Sequence, residues 1–491
     1  MEDRRLIDNF NLKLQNTYVR LPDKFYTKQY PEEVPNPILV AFNDSLADML
    51  GLDKDFLESS DGIAIMSGNG ILEGTTPIAE AYAGHQFGYF TMLGDGRAVL
   101  LGEVISETGE RYDIQLKGSG RTRYSRGGDG KASLGPMLRE YIISEGMYGL
   151  RIPTTRSLAV VLTGENVIRE NVLPGAVLTR IAQSHIRVGT FQYAAEFGDK
   201  EDIKALADYV IKRHYKEIDI NSQPYYNLLK EVVKKQAQLI AKWQCVGFIH
   251  GVMNTDNVSI TGETIDYGPC AFMDTYNLNT VFSSIDREGR YAYGNQPKIG
   301  AWNLARFAES LLPLFSDNKD EAVKMAEEAL NLYSDTYFES WYSEMRRKLG
   351  LYNKEEGDKD LIKRLLNIME ISKADYTNTF LNLTINNLEN MDIFKTKQFE
   401  EWHQLWMERL QRQNKSIEEA RNLMKKSNPV LIPRNHRVEE ALEAAVNRND
   451  YSVMNHLLHA LKNPFDYDNI NEYYTELPPK SSCGYKTFCG T

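Results

Sequence analysis

Cysteine, long apolar runs and excess positive charge are all scarce in this chain. Four cysteines in 491 residues are too few for the disulfide framework of a secreted scaffold, so we expect a reducing cytoplasm. No apolar run approaches the roughly 18–20 residues that a membrane-spanning helix needs, and we expect no membrane partner. The first residues, MEDRRLIDNF, have neither the apolar core of a signal peptide nor the acid-poor character of a transit peptide.

The net charge and the histidine and cysteine content argue against two further classes of protein, nucleic-acid binders and zinc proteins. A net charge of −11 argues against a general nucleic-acid binder, whose contact surface would be basic. The 8 histidines and few cysteines form no cluster with zinc-site spacing. What is present is ordinary for a soluble globular protein: 42% hydrophobic and 25% charged residues in a chain long enough for two or more lobes.

The apolar pattern changes near residue 200. Before it, residues 97–105 and 111–118 predict a β-hairpin, and residues 158–165 and 175–182 predict further strands. A helix is predicted at about 134–148 between them. After residue 200 amphipathic helical patterns dominate, near 202–215, 223–244, 302–315, 320–348, 360–371, 397–426 and 437–462.

This change predicts an α+β fold with a cleft between two lobes. The strand-rich N-terminal lobe would comprise residues 1–200, and the mainly helical C-terminal lobe residues 201–491.

The stretch HGVMNTDN (250–257) is similar to a protein-kinase catalytic loop with one residue changed. In kinases a catalytic Asp stands five positions before the metal-binding Asn. Here the residue five positions before Asn257 is Val252, which accepts no proton. The pattern therefore indicates either an inactive kinase or different chemistry in a kinase-like frame.

The rest of this loop, residues 250–268, predicts a metal site. The segments VSIT and TID flank a Gly-Glu turn and predict a short hairpin that folds Asp266 back beside Asp256 and Asn257. Three oxygen-bearing side chains suit a hard cation, Mg²⁺ or Mn²⁺. The alternative is a turn-rich loop whose Asn and Asp side chains only cap backbone groups.

A second candidate site lies upstream, where Gly94 and Gly96 bracket an Asp and Arg97 enters a strand. Such a turn alone is often only a hairpin corner. Lys117 on the following strand favours a phosphate site, because kinases reach nucleotide phosphates with a strand lysine after a Gly-rich hairpin. Glu140 on the next helix is a candidate ion-pair partner for that lysine. The alternatives are a solvated lysine and a solvated carboxylate.

Two further sets of basic residues are candidates for binding anions. The loop GSGRTRYSRGGDGKAS (118–133) combines glycines with basic residues, which indicates an anion site or a flexible basic surface loop. Arg180 and Arg187 lie seven residues apart, on one face of a helix or across a strand and a bend. Arginine suits fixed, multidentate phosphate contacts, although surface salt bridges are the alternative for each.

Taken together, three long motifs carry a family resemblance. The segments PIAEAYAGHQFGYFTMLGDGRAVLLGE, QLKGSGRTRYSRGGDGKASLGPMLREY and HGVMNTDNVSITGETIDYGPCAFMD, with NPVLIPRNH (428–436), resemble the selenoprotein O family, called YdiU in bacteria. The resemblance implies a protein-kinase-like fold and transfer of AMP from ATP, or UMP from UTP, to Ser, Thr or Tyr side chains of proteins, with His as a further acceptor. It also implies Mg²⁺ or Mn²⁺ and a nucleotide bound inverted relative to kinases.

The resemblance assigns roles to individual residues. Asp256 is similar to the family's proton acceptor, Asn257 and Asp266 to its metal ligands, and Glu140 to the partner of the lysine. Implied nucleotide contacts come from Gly94, Gly96, Arg97, Lys117, Asp129, Gly130, Arg180, Arg187 and Asp266. Animal members carry selenocysteine near the C-terminus; here Cys489 and Cys483 stand in the tail SSCGYKTFCGT. A redox role for Cys489 and a cysteine with no role are both open.

These assignments make the changed kinase loop intelligible. If Lys117, Arg180 and Arg187 hold the terminal phosphates, the α-phosphorus lies at the metal and pyrophosphate becomes the leaving group. Val252 then need not accept a proton, because Asp256 is available. A conventional phosphotransferase and a non-catalytic nucleotide-binding scaffold stay as alternatives from other classes.

Overall fold

A computed structural model describes residues 5–8, 14–479 and 485–487. Within them the strands are β1 Arg5–Ile7, β2 Tyr26–Lys28, β3 Ile38–Phe42, β4 Gly70–Leu72, β5 Ile78–Glu80, β6 Ala83–Gln86, β7 Tyr89–Met92, β8 Ala98–Ile105, β9 Arg111–Lys117, β10 Arg156–Ile168, β11 Val172–Ala182, β12 Phe248–Ile249 and β13 Ala271–Phe272.

The helices dominate the second part of the chain. They are α1 Asp44–Leu50, α2 Lys54–Glu58, α3 Ser60–Ser67, α4 Leu134–Gly149, α5 Val188–Phe197, α6 Lys200–His214, α7 Pro224–Val246, α8 Gln296–Leu311, α9 Lys319–Lys348, α10 Asp358–Ile371, α11 Tyr376–Ile385, α12 Lys397–Arg412, α13 Ile417–Ser427, α14 Asn435–Arg448, α15 Ser452–Leu461 and α16 Glu472–Thr475. The predicted segments 397–426 and 437–462 are each two helices. Every described helix is too short or too polar to span a bilayer.

The fold is mixed α/β, with one large antiparallel sheet and many helices. That sheet has seven strands in the order β2-β5-β8-β9-β11-β10-β3, each antiparallel to its neighbour. The predicted hairpin is β8–β9, and the two further predicted strands form a longer hairpin, β10–β11. Register places Arg180 opposite Gln115 and Lys117 opposite Leu178. Paired residues share one face of a sheet, so the lysine and the arginine point to the same side.

Helix α4 covers that face with an apolar stripe. Its Leu138 and Ile142 are fully buried in a core that also contains Val160 and Leu178 of the sheet and Phe248 beyond it. One core therefore joins the strand-rich and helical parts of the chain. Burial of this stripe fixes which side of α4 faces the sheet, and with it the direction of Glu140.

The predicted hairpin within residues 258–266 is wrong. Ser259 pairs with Arg187 and Thr264 pairs with Thr154, so each arm forms its backbone bonds with the strand-rich part instead of with the other arm. Gly262, with φ of +80°, turns the chain between them. Backbone groups need partners wherever they are buried, and neighbouring segments supply them here.

Candidate active site

A cleft of about 340 Å³ lies between the sheet and the loop 250–268, within the usual size range for ligand sites. It brings together the sequence-predicted residues from both parts of the chain. Its lining includes Gly94, Gly96, Arg97, Lys117, Asp129, Gly130, Arg180, Arg187, Asp256, Asn257 and Asp266.

Three cations converge on Asp266 in this cleft. Lys117 Nζ lies 2.8 Å and Arg180 Nη1 2.5 Å from Asp266 Oδ1, and Arg187 Nη1 lies 3.0 Å from Oδ2. The carboxylate is partly buried, with 21% of its side chain exposed, and Lys117, followed by the two arginines, holds its pKa well below the ordinary value. Asp266 has φ of +62°, a conformation uncommon for residues other than glycine and worth attention at functional sites.

Glu140 stabilises the same cations from the helix side. Its Oε2 lies 2.6 Å from Lys117 Nζ, and its Oε1 lies 3.3 Å from Arg180 Nη1. Lys117 and Glu140 are both buried, which rules out the solvated alternatives for this lysine and this carboxylate. Arg180 and Arg187 are likewise buried, so neither forms the surface salt bridge that was the alternative.

Asp256 lies on the other side of Arg187. Arg187 Nη1 donates to the backbone oxygen of Asp256 at 3.0 Å, so this guanidinium connects Asp256 to Asp266. The Asp256 carboxyl accepts at 3.5 Å from Gln86 Nε2, and its Oδ1 has no hydrogen-bond partner within the described residues. Burial raises the pKa of Asp256 to about 6. A buried carboxylate with an uncommitted oxygen and a pKa near neutrality suits a general base.

Asn257 ends a short 3-10 helix, Thr255–Asn257. Its Nδ2 donates to the backbone oxygen of Val252 at 3.0 Å, which leaves the amide oxygen to bind a cation. Within the described residues no group of three or more His, Cys, Asp and Glu side chains could hold a metal. Mg²⁺ commonly takes one or two carboxylates together with phosphate oxygens and water, and Asn257 and Asp266 fit that incomplete ligand set.

The glycines of the turn 94–96 serve close packing against the neighbouring loop. A Cβ at Gly94, where φ is +100°, would lie 2.4 Å from the Tyr124 ring, and one at Gly96 would lie 2.9 Å from the Tyr124 backbone oxygen. Ser125 Oγ donates to Gly96 O at 2.5 Å. The turn and the loop therefore form one rim of the cleft, whose position only glycine permits.

Sequence reasoning missed the partner of Asp129. Arg169, in the β10–β11 turn, lies 2.8 Å and 3.0 Å from the two carboxylate oxygens of Asp129, and this bond holds the pKa of Asp129 at about 2. Arg169 also lines the cleft. A lone arginine in a hairpin turn carries no pattern that points to this contact.

Sequence reasoning also assigned no role to the hairpin β6–β7, which supplies Gln86. The two histidines near the site are hydrogen-bonded: His85 Nδ1 lies 2.8 Å from Gln192 Nε2, and His250 Nε2 lies 3.0 Å from Ile265 O.

The tail cysteines, Cys483 and Cys489, lie outside the described residues. Between them, Thr487 Oγ1 donates to Pro269 O at 2.6 Å, close to the segment that carries Asp266. Cys270, next to this contact, is a buried thiol.

Comparisons with known proteins identify the family. The family model described as Protein adenylyltransferase SelO matches residues 8–462. A protein of Clostridium botulinum (strain Eklund 17B / Type B) named Protein nucleotidyltransferase YdiU is 64% identical over 491 residues, 100% of both chains. A protein of the same name from Geobacillus kaustophilus is 60% identical over 479 residues, 98% of this chain and 99% of its own.

Proposed function

The chain belongs to the SelO family of protein nucleotidyltransferases, and from this membership and the cleft we propose that it transfers AMP from ATP, or UMP from UTP, to a Ser, Thr or Tyr hydroxyl, with His as a further acceptor. The enzyme class is set by the family: a nucleoside triphosphate and a protein are the two substrates. The base, the residue roles and the inverted nucleotide are our proposals.

We assign the chain a protein-kinase-like, two-lobed architecture within its mixed α/β fold. The supporting contact is the buried pair between Lys117 on β9 and Glu140 on α4, 2.6 Å apart, since kinases hold their phosphate-binding lysine by such a strand-to-helix pair. Asn257 Nδ2 bonded to Val252 O gives the loop 250–268 a fixed shape next to this pair.

The observation that carries the proposal is the set of three buried cations at Asp266. Arg187 Nη2 and Arg180 Nε have no hydrogen-bond partner among the described residues. Buried donors are nearly always satisfied, and phosphate oxygens match the geometry of guanidinium groups. These arginines and Lys117 would therefore hold the β- and γ-phosphates and leave the α-phosphorus toward Asp256 and Asn257.

A divalent cation, Mg²⁺ or Mn²⁺, would be held by Asn257 and Asp266 and would stabilise negative charge on the phosphate oxygens. As the oxygen of the acceptor hydroxyl bonds to the α-phosphorus, Asp256 would accept the proton of that hydroxyl. The bond from the α-phosphorus to the bridging oxygen breaks, and pyrophosphate leaves with that electron pair. A pKa of about 6 keeps Asp256 mostly ionised at neutral pH.

The test compares ATP and UTP labelled at the α- or the γ-phosphorus, each with Mg²⁺ or Mn²⁺. We expect protein to acquire α-label while pyrophosphate is released. Stable γ-label on protein without α-label would show a conventional kinase and overturn the proposal.

A further inference from the structure

The hairpin β6–β7 lies directly over the proposed base. Phe87 and Gly88 form its two-residue turn with φ of +51° and +92°, the geometry of a tight type I′ connection. His85 N donates to Thr255 Oγ1 at 2.7 Å, and Phe87 N donates to Asn254 Oδ1 at 3.1 Å. The hairpin is thus fixed by its backbone to Asn254 and Thr255, the two residues that precede Asp256.

One face of the hairpin looks at Asp256. A Cβ on Gly84 would lie 2.7 Å from Thr255 Oγ1 and 3.4 Å from Asp256 Oδ1, and Gln86 contacts the Asp256 carboxyl. Register pairs Gly84 with Thr91 and Gln86 with Tyr89. Because paired residues share a face, Thr91 and Tyr89 of β7 border the approach to Asp256.

Both faces of β7 carry exposed apolar side chains, with Tyr89 on the face toward Asp256 and Phe90 and Met92 on the opposite face. Tyr89 is 79% exposed, and Phe90 and Met92 are also exposed. Phe90 lies 6.5 Å, centroid to centroid, from the ring of Phe197, which is itself 50% exposed. Within the described residues β7 pairs with β6 alone, so its outer edge offers unpaired backbone groups. Exposed apolar patches and open strand edges are typical of surfaces that bind another chain.

The expected direction of attack on the α-phosphorus indicates which molecule binds at the β6–β7 hairpin. The phosphate-binding cations lie on the Arg187 side of Asp256, and the hairpin contacts Asp256 through Gln86. In phosphoryl transfer the attacking and leaving oxygens lie roughly in line, so the acceptor hydroxyl must arrive on the side away from the leaving pyrophosphate. The hairpin is the element that contacts the Asp256 carboxyl, through Gln86, and the acceptor of a protein nucleotidyltransferase is a polypeptide.

We propose that the outer edge of β7, with Tyr89, Phe90, Met92 and Phe197, docks an extended segment of the protein substrate and presents its hydroxyl residue to Asp256. The segment would add as a strand to β7, with backbone bonds for affinity and alternate side chains on the apolar patch for selectivity. This inference rests on the proposed assignment of the cleft as the reaction centre.

The test uses a synthetic peptide pool with one central serine and randomised flanks, α-labelled ATP, and a total bacterial protein extract as a second acceptor. The variant is Tyr89→Ser/Met92→Ser. The matched control is Ile220→Ser/Ile371→Ser, whose apolar side chains are also exposed but lie outside the β6–β7 hairpin, before α7 and at the end of α10. For the wild type and the control we expect labelled peptides enriched in apolar residues at alternate positions beside the serine.

For the β7 variant we expect this enrichment to be lost and the half-saturating extract concentration to rise about tenfold, with unchanged nucleotide affinity. Equal enrichment in the β7 variant, or an extract that is labelled while the peptide pool is not, overturns the docking proposal. Asp256→Asn separates the two inferences. If that variant stays fully active, the cleft assignment fails; if it is inactive and the β7 variant behaves as wild type, only the docking surface fails.

Discussion

Replacing Asp256 with Asn removes the proposed base and keeps the size of the side chain. General-base catalysis typically contributes about 10²–10⁴-fold, so turnover should fall by that factor, or about 3–5 kcal/mol in activation free energy. Nucleotide affinity should stay nearly constant, because Lys117, Arg180 and Arg187 carry the proposed phosphate contacts. Wild-type turnover should also decline as the pH falls through about 6, where Asp256 becomes protonated.

The same substitution should stabilise the folded protein. The pKa of Asp256 is raised from 3.8 to about 6 in the fold, so ionising it costs up to about 3 kcal/mol at neutral pH, since each pKa unit corresponds to about 1.4 kcal/mol. For a raised carboxyl pKa this destabilisation is complete above pH 6 and disappears below about pH 4. Asp256→Asn should therefore melt at a higher temperature than wild type at pH 7 and at nearly the same temperature at pH 4.

Titration of nucleotide binding, initial rates with α-labelled ATP and melting curves at the two pH values check this prediction. Glu263→Gln is the matched control, because Glu263 is another buried carboxyl in the same loop whose pKa burial raises to about 8, and it does not line the cleft. Its turnover should equal that of wild type. Full turnover in Asp256→Asn, or a loss of turnover matched by an equal loss of nucleotide affinity, would refute the assignment.

Three other substitutions separate the remaining roles. Asp266→Ala should abolish transfer, measured as α-label on protein, and near-normal activity would contradict the role of Asp266 as a ligand. The same substitution should lower the melting temperature, because removing one partner of a buried ion pair costs about 3–5 kcal/mol. Added inorganic phosphate should restore part of the lost melting temperature. Lys117→Ala should weaken nucleotide binding in titrations as well as turnover, and an unchanged dissociation constant would count against its phosphate contact. Val252→Asp should transfer no γ-label to protein, and strong γ-transfer would show that the nucleotide is not inverted.

The sequence predicts this site best where a contact follows from regular structure. Lys117 ends a strand and Glu140 lies on the next helix, so the order of elements made their pairing a candidate. The structure decides between this pairing and the solvated alternatives, because both side chains are buried and lie 2.6 Å apart. Asp266 was expected near Asn257 for a wrong reason, since the arms of the loop pair with Arg187 and Thr154 and not with each other. Hydrophobic periodicity predicts which residues lie on each face of a strand, but it does not predict which segment the strand pairs with.

Contacts between residues that are far apart in the sequence could not be predicted from the sequence pattern. Arg169 reaches Asp129 from a turn 40 residues away, and Gln86 reaches Asp256 over 170 residues. Neither contact follows from spacing, because each depends on how the sheet folds back on the loop. The hairpin β6–β7 lies within one of the motifs that carry the family resemblance, yet its contact with the proposed base, Asp256, is visible only in the three-dimensional structure.

Val252 explains why the kinase-like loop persists without its catalytic Asp. The loop uses the backbone oxygen of Val252, which accepts from Asn257 Nδ2 at 3.0 Å, and every residue type provides that oxygen. The Val252 side chain itself is buried and lines the cleft, but the contact with Asn257 does not require it to be an Asp. In the proposed arrangement, the phosphorus that the cations leave accessible decides which residue acts as the base. Arg187 joins Asp256 to Asp266. In the proposed inverted arrangement the α-phosphorus faces Asp256, so we expect an Asp at position 252, although it would line the same cleft, to support no attack on the γ-phosphorus.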